Sequence, residues 1–169
     1  LDKYGEMMNR KPIYWLLPIV WMVVIFFSSA TPYEKQDMKP LLASIIDFSF
    51  LEPYFSWVSF TYNQTEVSIA ALGVEGFIEF FLRKGAHFGA FFLLMILFCI
   101  AFRRTVHWNL HKILVVSFGL TIAYAIMDEL HQGLTPNRTP FYGDVVIDGI
   151  GASMAYFILL IWYKKWKKL

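Results

Sequence analysis

Four apolar runs, at residues 13–27, 85–102, 113–127 and 145–163, divide this chain of 169 residues. A helix needs roughly 20 mostly apolar residues to cross a hydrocarbon core about 30 Å thick, and each run approaches that length once its flanks are counted. Inside a bilayer the backbone finds no water to bond, so each span has to close its own hydrogen bonds as a helix. The chain is 57% hydrophobic with a mean hydropathy of +0.50, above the roughly 45–50% apolar content of soluble domains. The sequence therefore predicts an all-α integral membrane protein with four transmembrane helices, at about 13–29, 78–102, 112–132 and 145–163, in a single domain over 1–169.

Entry to the first run is through Arg10-Lys11-Pro12, where Pro suits the first helical turn, and Pro18 is placed to bend the helix. The chain opens on Leu1, so its amino end is read as trimmed or vector-derived, with Met7 or Met8 as native starts. A basic stretch, an apolar run and Ser28-Ser29-Ala30 imitate a secretory signal; the three later spans argue against that reading. The single Cys99 lies mid-run, where a small hydrophobe is expected, and no disulfide or cysteine metal site is on offer.

Lys and Arg placement sets the expected orientation. Ten of the fifteen flank one side of the membrane, and Lys35, Lys39, Arg83, Lys84 and Arg138 flank the other, together with eleven of the thirteen acids. Both termini are expected in the cytoplasm, in a multi-pass protein of the plasma membrane. Residues 30–77 would form an extracytoplasmic aromatic and amphipathic segment. Within it Leu41, Leu42, Ile45, Ile46 and Ser49 recur at helical spacing, which predicts a short interfacial helix. Residues 54–62 are aromatic and β-prone, Asn63-Gln64 is a turn candidate, and Val67-Ser68-Ile69 is a return strand. A hairpin and an irregular interfacial loop both stay open. Asn63-Gln64-Thr65 fits a glycosylation triplet and receives no role.

The third run is uncharged for only 15 residues, 113–127, before Asp128-Glu129-Leu130-His131-Gln132. Ionisable groups at that depth are costly and are functional candidates by default. Residues three or four apart share a helix face, and each of the last three spans carries such a set at its outer end. The sets are Lys84 with His87, Asp128 with His131 and Gln132, and Asp144 with Asp148. Antiparallel threading brings them to one level, with Arg138 on the short loop beside them and Ser28 and Ser29 ending the first span there.

Plainer readings compete. Lys84 can snorkel to the interface, Asp144 can cap a helix, and Glu129 points about 100° away from Asp128. His107 and His111 suit the opposite interface, and a buried ion-pair network can simply specify helix packing. Chemically, Arg and Lys can hold a phosphate or carboxylate, and a His or buried carboxylate can move protons. A divalent metal is the minority alternative, since no zinc spacing occurs. No nucleophile elbow, phosphate-binding glycine loop or Ser-His-Asp order is present. No cofactor and no nucleic-acid partner are expected. Gly149, Gly151 and Ser153 allow close helix approach in the fourth span.

The Phe27-Ser28-Ser29 ending of the first span, Arg83-Lys84-Gly85-Ala86-His87-Phe88, Asp128-Glu129-Leu130-His131-Gln132 with Arg138, and Asp144-x-x-x-Asp148-x-x-Gly151 together resemble the VanZ-like family of small bacterial membrane proteins. Its name comes from a member associated with resistance to teicoplanin, so the resemblance implies a cell-envelope protein without an established reaction. Carried over by position, the family's motif residues are Lys84, His87, Asp128, Glu129, Gln132, Arg138 and Asp144. The family pattern commonly has Asn where this chain has Asp148 or Gly149.

The expectation is an outward-facing polar pocket that binds or acts on an anionic membrane lipid or lipid-linked cell-wall precursor. Lys84, Gln132, Arg138, Asp144, Asp148, Ser28, Ser29 and His131 would hold the ligand; His87, Asp128 and Glu129 would transfer protons. The rivals are a non-enzymatic shield that limits drug access to wall precursors and a proton-coupled lipid carrier, for which a homodimer would suffice.

Overall fold

A computed structural model describes residues 12–32, 35–136 and 138–166, with side chains to Tyr163 in the last stretch. The readings placed on Leu1, Met7, Met8, Arg10 and Lys11 lie outside the described residues. The described chain is mostly helical, at 78%. A 3-10 turn, Pro12–Trp15, leads into α1, Leu16–Ser29; α2 is Lys39–Ile45, α3 Glu52–Phe55, α4 Ile69–Thr105, α5 Leu110–Gln132 and α6 Tyr142–Trp166. Among the described residues four helices are long and apolar enough to cross a membrane: Pro12–Ser29, Ile69–Thr105, Leu110–Gln132 and Tyr142–Tyr163.

The second span is longer than residues 78–102. It runs 37 residues in all, and the unbroken part after Gly73, residues 74–105, is about 48 Å long at 1.5 Å per residue, well beyond a ~30 Å core. Ser68 caps its start by accepting from the Ala71 N–H. Gly73, at φ 73° and ψ 169°, breaks the helix after one turn, a left-handed angle that glycine adopts without a Cβ clash. The extra length is a platform for the segment between the first two spans.

That segment holds the short α2, a 3-10 turn at Phe48–Leu51, α3, and a hairpin of β1, Ser59–Tyr62, with β2, Thr65–Ser68. The strands pair antiparallel, Tyr62 against Thr65 and Ser59 against Ser68. Asn63 and Gln64 both take positive φ, 47° and 62°, the angles of a two-residue turn that matches strand twist. The interfacial helix at 41–49 is shorter than expected, ending at Ile45, and Tyr54 and Phe55 belong to α3 rather than to a strand. Glu52-Pro53 explains the latter, since Pro fits a first helical turn and withholds an N–H from a ladder. Val67, Ile69, Val74 and Phe77 form a small core that seats the hairpin on the start of α4.

Two further cores hold the spans. One joins α4, α5 and α6 through Met95, Cys99, Phe102, Leu114, Ala152 and Ala155. The other joins α1 to α4 and α5 through Ile25, Phe91, Leu94, Phe98 and Tyr124. Lipid tails are as apolar as these side chains, so packing and interhelical hydrogen bonds hold the spans rather than escape from water. Trp15 Nε1 donates to Thr105 Oγ1 at 3.2 Å, Trp21 Nε1 to the Ala90 carbonyl at 2.9 Å, and Tyr124 Oη to the Met22 carbonyl at 2.6 Å. These bonds fasten α1 along its length. At Gly151 a Cβ would lie 3.3 Å from Phe88 Cα and closer still to the Phe88 carbonyl, so only glycine permits that approach of α6 to α4.

Candidate functional site

The ends of α1 and α5, the start of α6 and the middle of α4 meet at one level, as antiparallel threading requires. Asp128, in the last turn of α5, is 3% exposed. Its Oδ2 accepts from Ser29 Oγ at 2.8 Å and from Gln132 Nε2 at 3.2 Å. Gln132 in turn accepts from Arg138 through Oε1 at 2.9 Å, and a second Arg138 nitrogen donates to Gln36 Oε1. Gln36 is itself fixed by donating to the Ser28 carbonyl at 2.8 Å. One neutral amide, Gln132, thus stands between the Arg138 guanidinium and the Asp128 carboxylate.

Among the described residues no acidic side chain pairs with Arg138 directly. Burial and the neighbouring Arg83 charge draw the Arg138 pKa below its ordinary value, and a guanidinium nevertheless keeps its proton.

A second group joins α4 to α6. Lys84 Nζ forms an ion pair with Asp144 Oδ1, which also accepts from Tyr62 Oη at 2.5 Å. The Tyr62 ring lies 4.5 Å from the Lys84 ammonium. Burial, then the Asp144 carboxylate, raises the Tyr62 pKa, so the phenol stays a donor. One turn deeper, His87 Nδ1 stands 3.3 Å from Asp148 Oδ1, which is 1% exposed on its side chain. That contact is an ion-pair distance without hydrogen-bond geometry, and Asp148 Oδ1 lacks a hydrogen-bond partner.

Glu129 accepts the Phe141 N–H through Oε1 at 2.5 Å, which pins the loop before α6; its other oxygen has no partner. Glu129 is 5% exposed, so it does not face solvent. His131 stacks on Phe26 at 4.1 Å between centroids, toward α1.

Between these groups lies a cavity of about 600 Å³, within the usual range of roughly 300–1,000 Å³ for ligand pockets. Ser28, Ser29, His87, Asp128, Gln132, Arg138 and Asp144 line it, whereas Lys84, Glu129, His131 and Asp148 are not among its lining residues. Arg83, Gln36, Thr139 and Trp21 line it as well, and none of them is among the site residues expected from the sequence. Arg83 has a signal, since Glu79, Arg83 and His87 recur every four residues on one face. The Arg83 guanidinium meets Glu79 Oε1 at 2.7 Å, and Glu79 is 2% exposed. Gln36 and Tyr62 have none, because each reaches the site from a separate part of the segment before α4. Among the described residues no three His, Cys, Asp or Glu side chains converge as a metal ion would need.

A family model described as VanZ/LLP1 matches residues 14–163. No curated protein and no solved structure matches the chain.

Proposed function

The chain belongs to the VanZ/LLP1 family, and from that membership we propose a multi-pass protein of the bacterial cell membrane whose cavity holds the anionic head of an amphiphile in the outer leaflet. Membership fits an envelope protein associated with glycopeptide resistance. The ligand class is a lipid-linked cell-wall precursor or a phospholipid. In this reading both chain ends are cytoplasmic and the cavity mouth opens outward, on the support of the Lys and Arg asymmetry.

The observation that carries the reading is Arg138, a half-buried guanidinium on a cavity wall whose hydrogen bonds go to two neutral amides. A buried charge without a direct counter-charge is costly, and an anion supplies that counter-charge through charge-assisted hydrogen bonds. Arg83 adds a second guanidinium to the same wall. His87 and Asp128, which both line the cavity, are the proton-handling pair in this proposal. Lys84 serves by holding Asp144, and Glu129 by holding the Phe141 loop, rather than by touching the ligand.

Mass spectrometry of lipid that co-purifies with gently solubilised protein tests the reading. Wild type is expected to retain an anionic lipid. Arg138→Ala should lose about tenfold or more of it, the scale of one hydrogen bond to a charged group, with helix content unchanged. Arg138→Lys should keep part, since it restores the charge without the planar fork. Equal retention by Arg138→Ala and wild type overturns the proposal.

A further inference from the structure

Below its polar level the cavity continues toward the membrane interior between α1 and α4. Its walls there are Trp21, Val24 and Ile25 on α1 with Gly89, Ala90 and Leu93 on α4. Trp21 is the lining residue of α1 farthest from Ser29, and its bond to the Ala90 carbonyl ties the two helices together at that depth. Trp21 lies eight residues before Ser29, about 12 Å of helix rise. That is most of the roughly 15 Å that one leaflet contributes to a ~30 Å core. Val24 is 47% exposed, and Gly89 is exposed too. The slot is therefore open sideways at the depth where lipid chains lie.

Glycine inside a helix is disfavoured against alanine, so an interior glycine needs a reason. At Gly151 the reason is the Phe88 backbone against it. At Gly89 a Cβ would meet nothing within 4 Å, so the missing side chain leaves space in the slot instead of admitting a neighbouring helix. Gly85 and Gly119 are equally open, but neither lines the cavity. Asp128, at the top of the slot, lines the cavity beside Arg138.

We propose that this slot takes one hydrocarbon chain of a phospholipid-type amphiphile, which enters sideways between α1 and α4 while its anionic head rises to Arg138. The inference rests on the reading of Arg138 as the head-group site.

The test uses the full chain in phosphatidylcholine vesicles doped with phosphatidylglycerol that carries a diazirine midway along one acyl chain. Illumination is expected to label Val24, Ala90 and Leu93, and excess unlabelled phosphatidylglycerol to suppress that labelling. Gly89→Trp, which fills the slot, should lower the labelling by about tenfold, and the smaller Gly89→Leu should lower it less. Helix content and melting, read in parallel, show that both variants fold. Gly119→Trp, on an open face of α5 outside the cavity, should leave the labelling as in wild type. Undiminished, competable labelling of folded Gly89→Trp and Gly89→Leu overturns the slot. If Arg138→Ala abolishes labelling in that case, the head-group reading survives alone. Labelling of wild type that excess phosphatidylglycerol fails to suppress sinks both.

Discussion

Asp144 Oδ1 takes the Lys84 ammonium and the Tyr62 hydroxyl together, and this one atom joins the hairpin to the spans. Tyr62 lies 82 residues away in sequence, at the end of β1 beside the two-residue turn. Tyr62→Phe removes a hydrogen bond to a carboxylate, worth about 1–2 kcal/mol at a partly exposed site. It leaves the ring on Phe80 and Phe141. Amide exchange over residues 59–68 should speed up by about tenfold, while the spans exchange as before. Unchanged exchange in the hairpin would mean that its apolar seat on α4, not the Tyr62 hydroxyl, holds it down. At the same scale, Arg138 and Arg83 have different surroundings despite sharing a wall. Arg83 meets a buried acid, whereas Arg138 is held by amides, so ligand binding is expected to depend more steeply on Arg138.

Among the elements, α4 does the most to position the site. Its first part carries the hairpin, its middle carries Arg83, Lys84 and His87, and its deeper half packs on α5 and α6. Two of its contacts turn on glycine in opposite ways. Gly151→Ala on α6 would drive a methyl into the Phe88 backbone, and overpacking of that kind costs about 1–3 kcal/mol. Gly89→Ala meets open space and gains helix propensity, about 1 kcal/mol at most. Thermal melting in detergent should therefore fall for Gly151→Ala and hold or rise for Gly89→Ala. A drop of equal size in both would show that Gly89 is also a packing glycine and would weaken the case for the slot.

For the whole molecule, orientation decides what the cavity can meet. Trp57 is 80% exposed and Cys99 is buried, which makes a labelling test clean in a Cys99→Ala background. Trp57→Cys is expected to react with a membrane-impermeant maleimide in intact cells, and Lys168→Cys only after permeabilisation. The reverse pattern would turn the cavity to the cytoplasm and remove the outer leaflet as its source of ligand. The number of candidate spans and the polar residues at their ends were legible in the sequence, because hydrocarbon thickness and the cost of buried charge act on the chain directly; the extra length of α4 was not. The turn at Asn63-Gln64 was legible as a candidate for the same local reason. Only the tertiary structure decided that Lys84 turns to Asp144 while Arg83 faces the cavity, that Glu129 serves the Phe141 N–H, and that Gln36 and Tyr62 reach the site at all. Membrane helices are apolar around most of their girth, so hydropathy sets their depth but leaves their rotation free. Which charges meet depends on that rotation, and close packing at contacts such as Gly151 on Phe88 settles it.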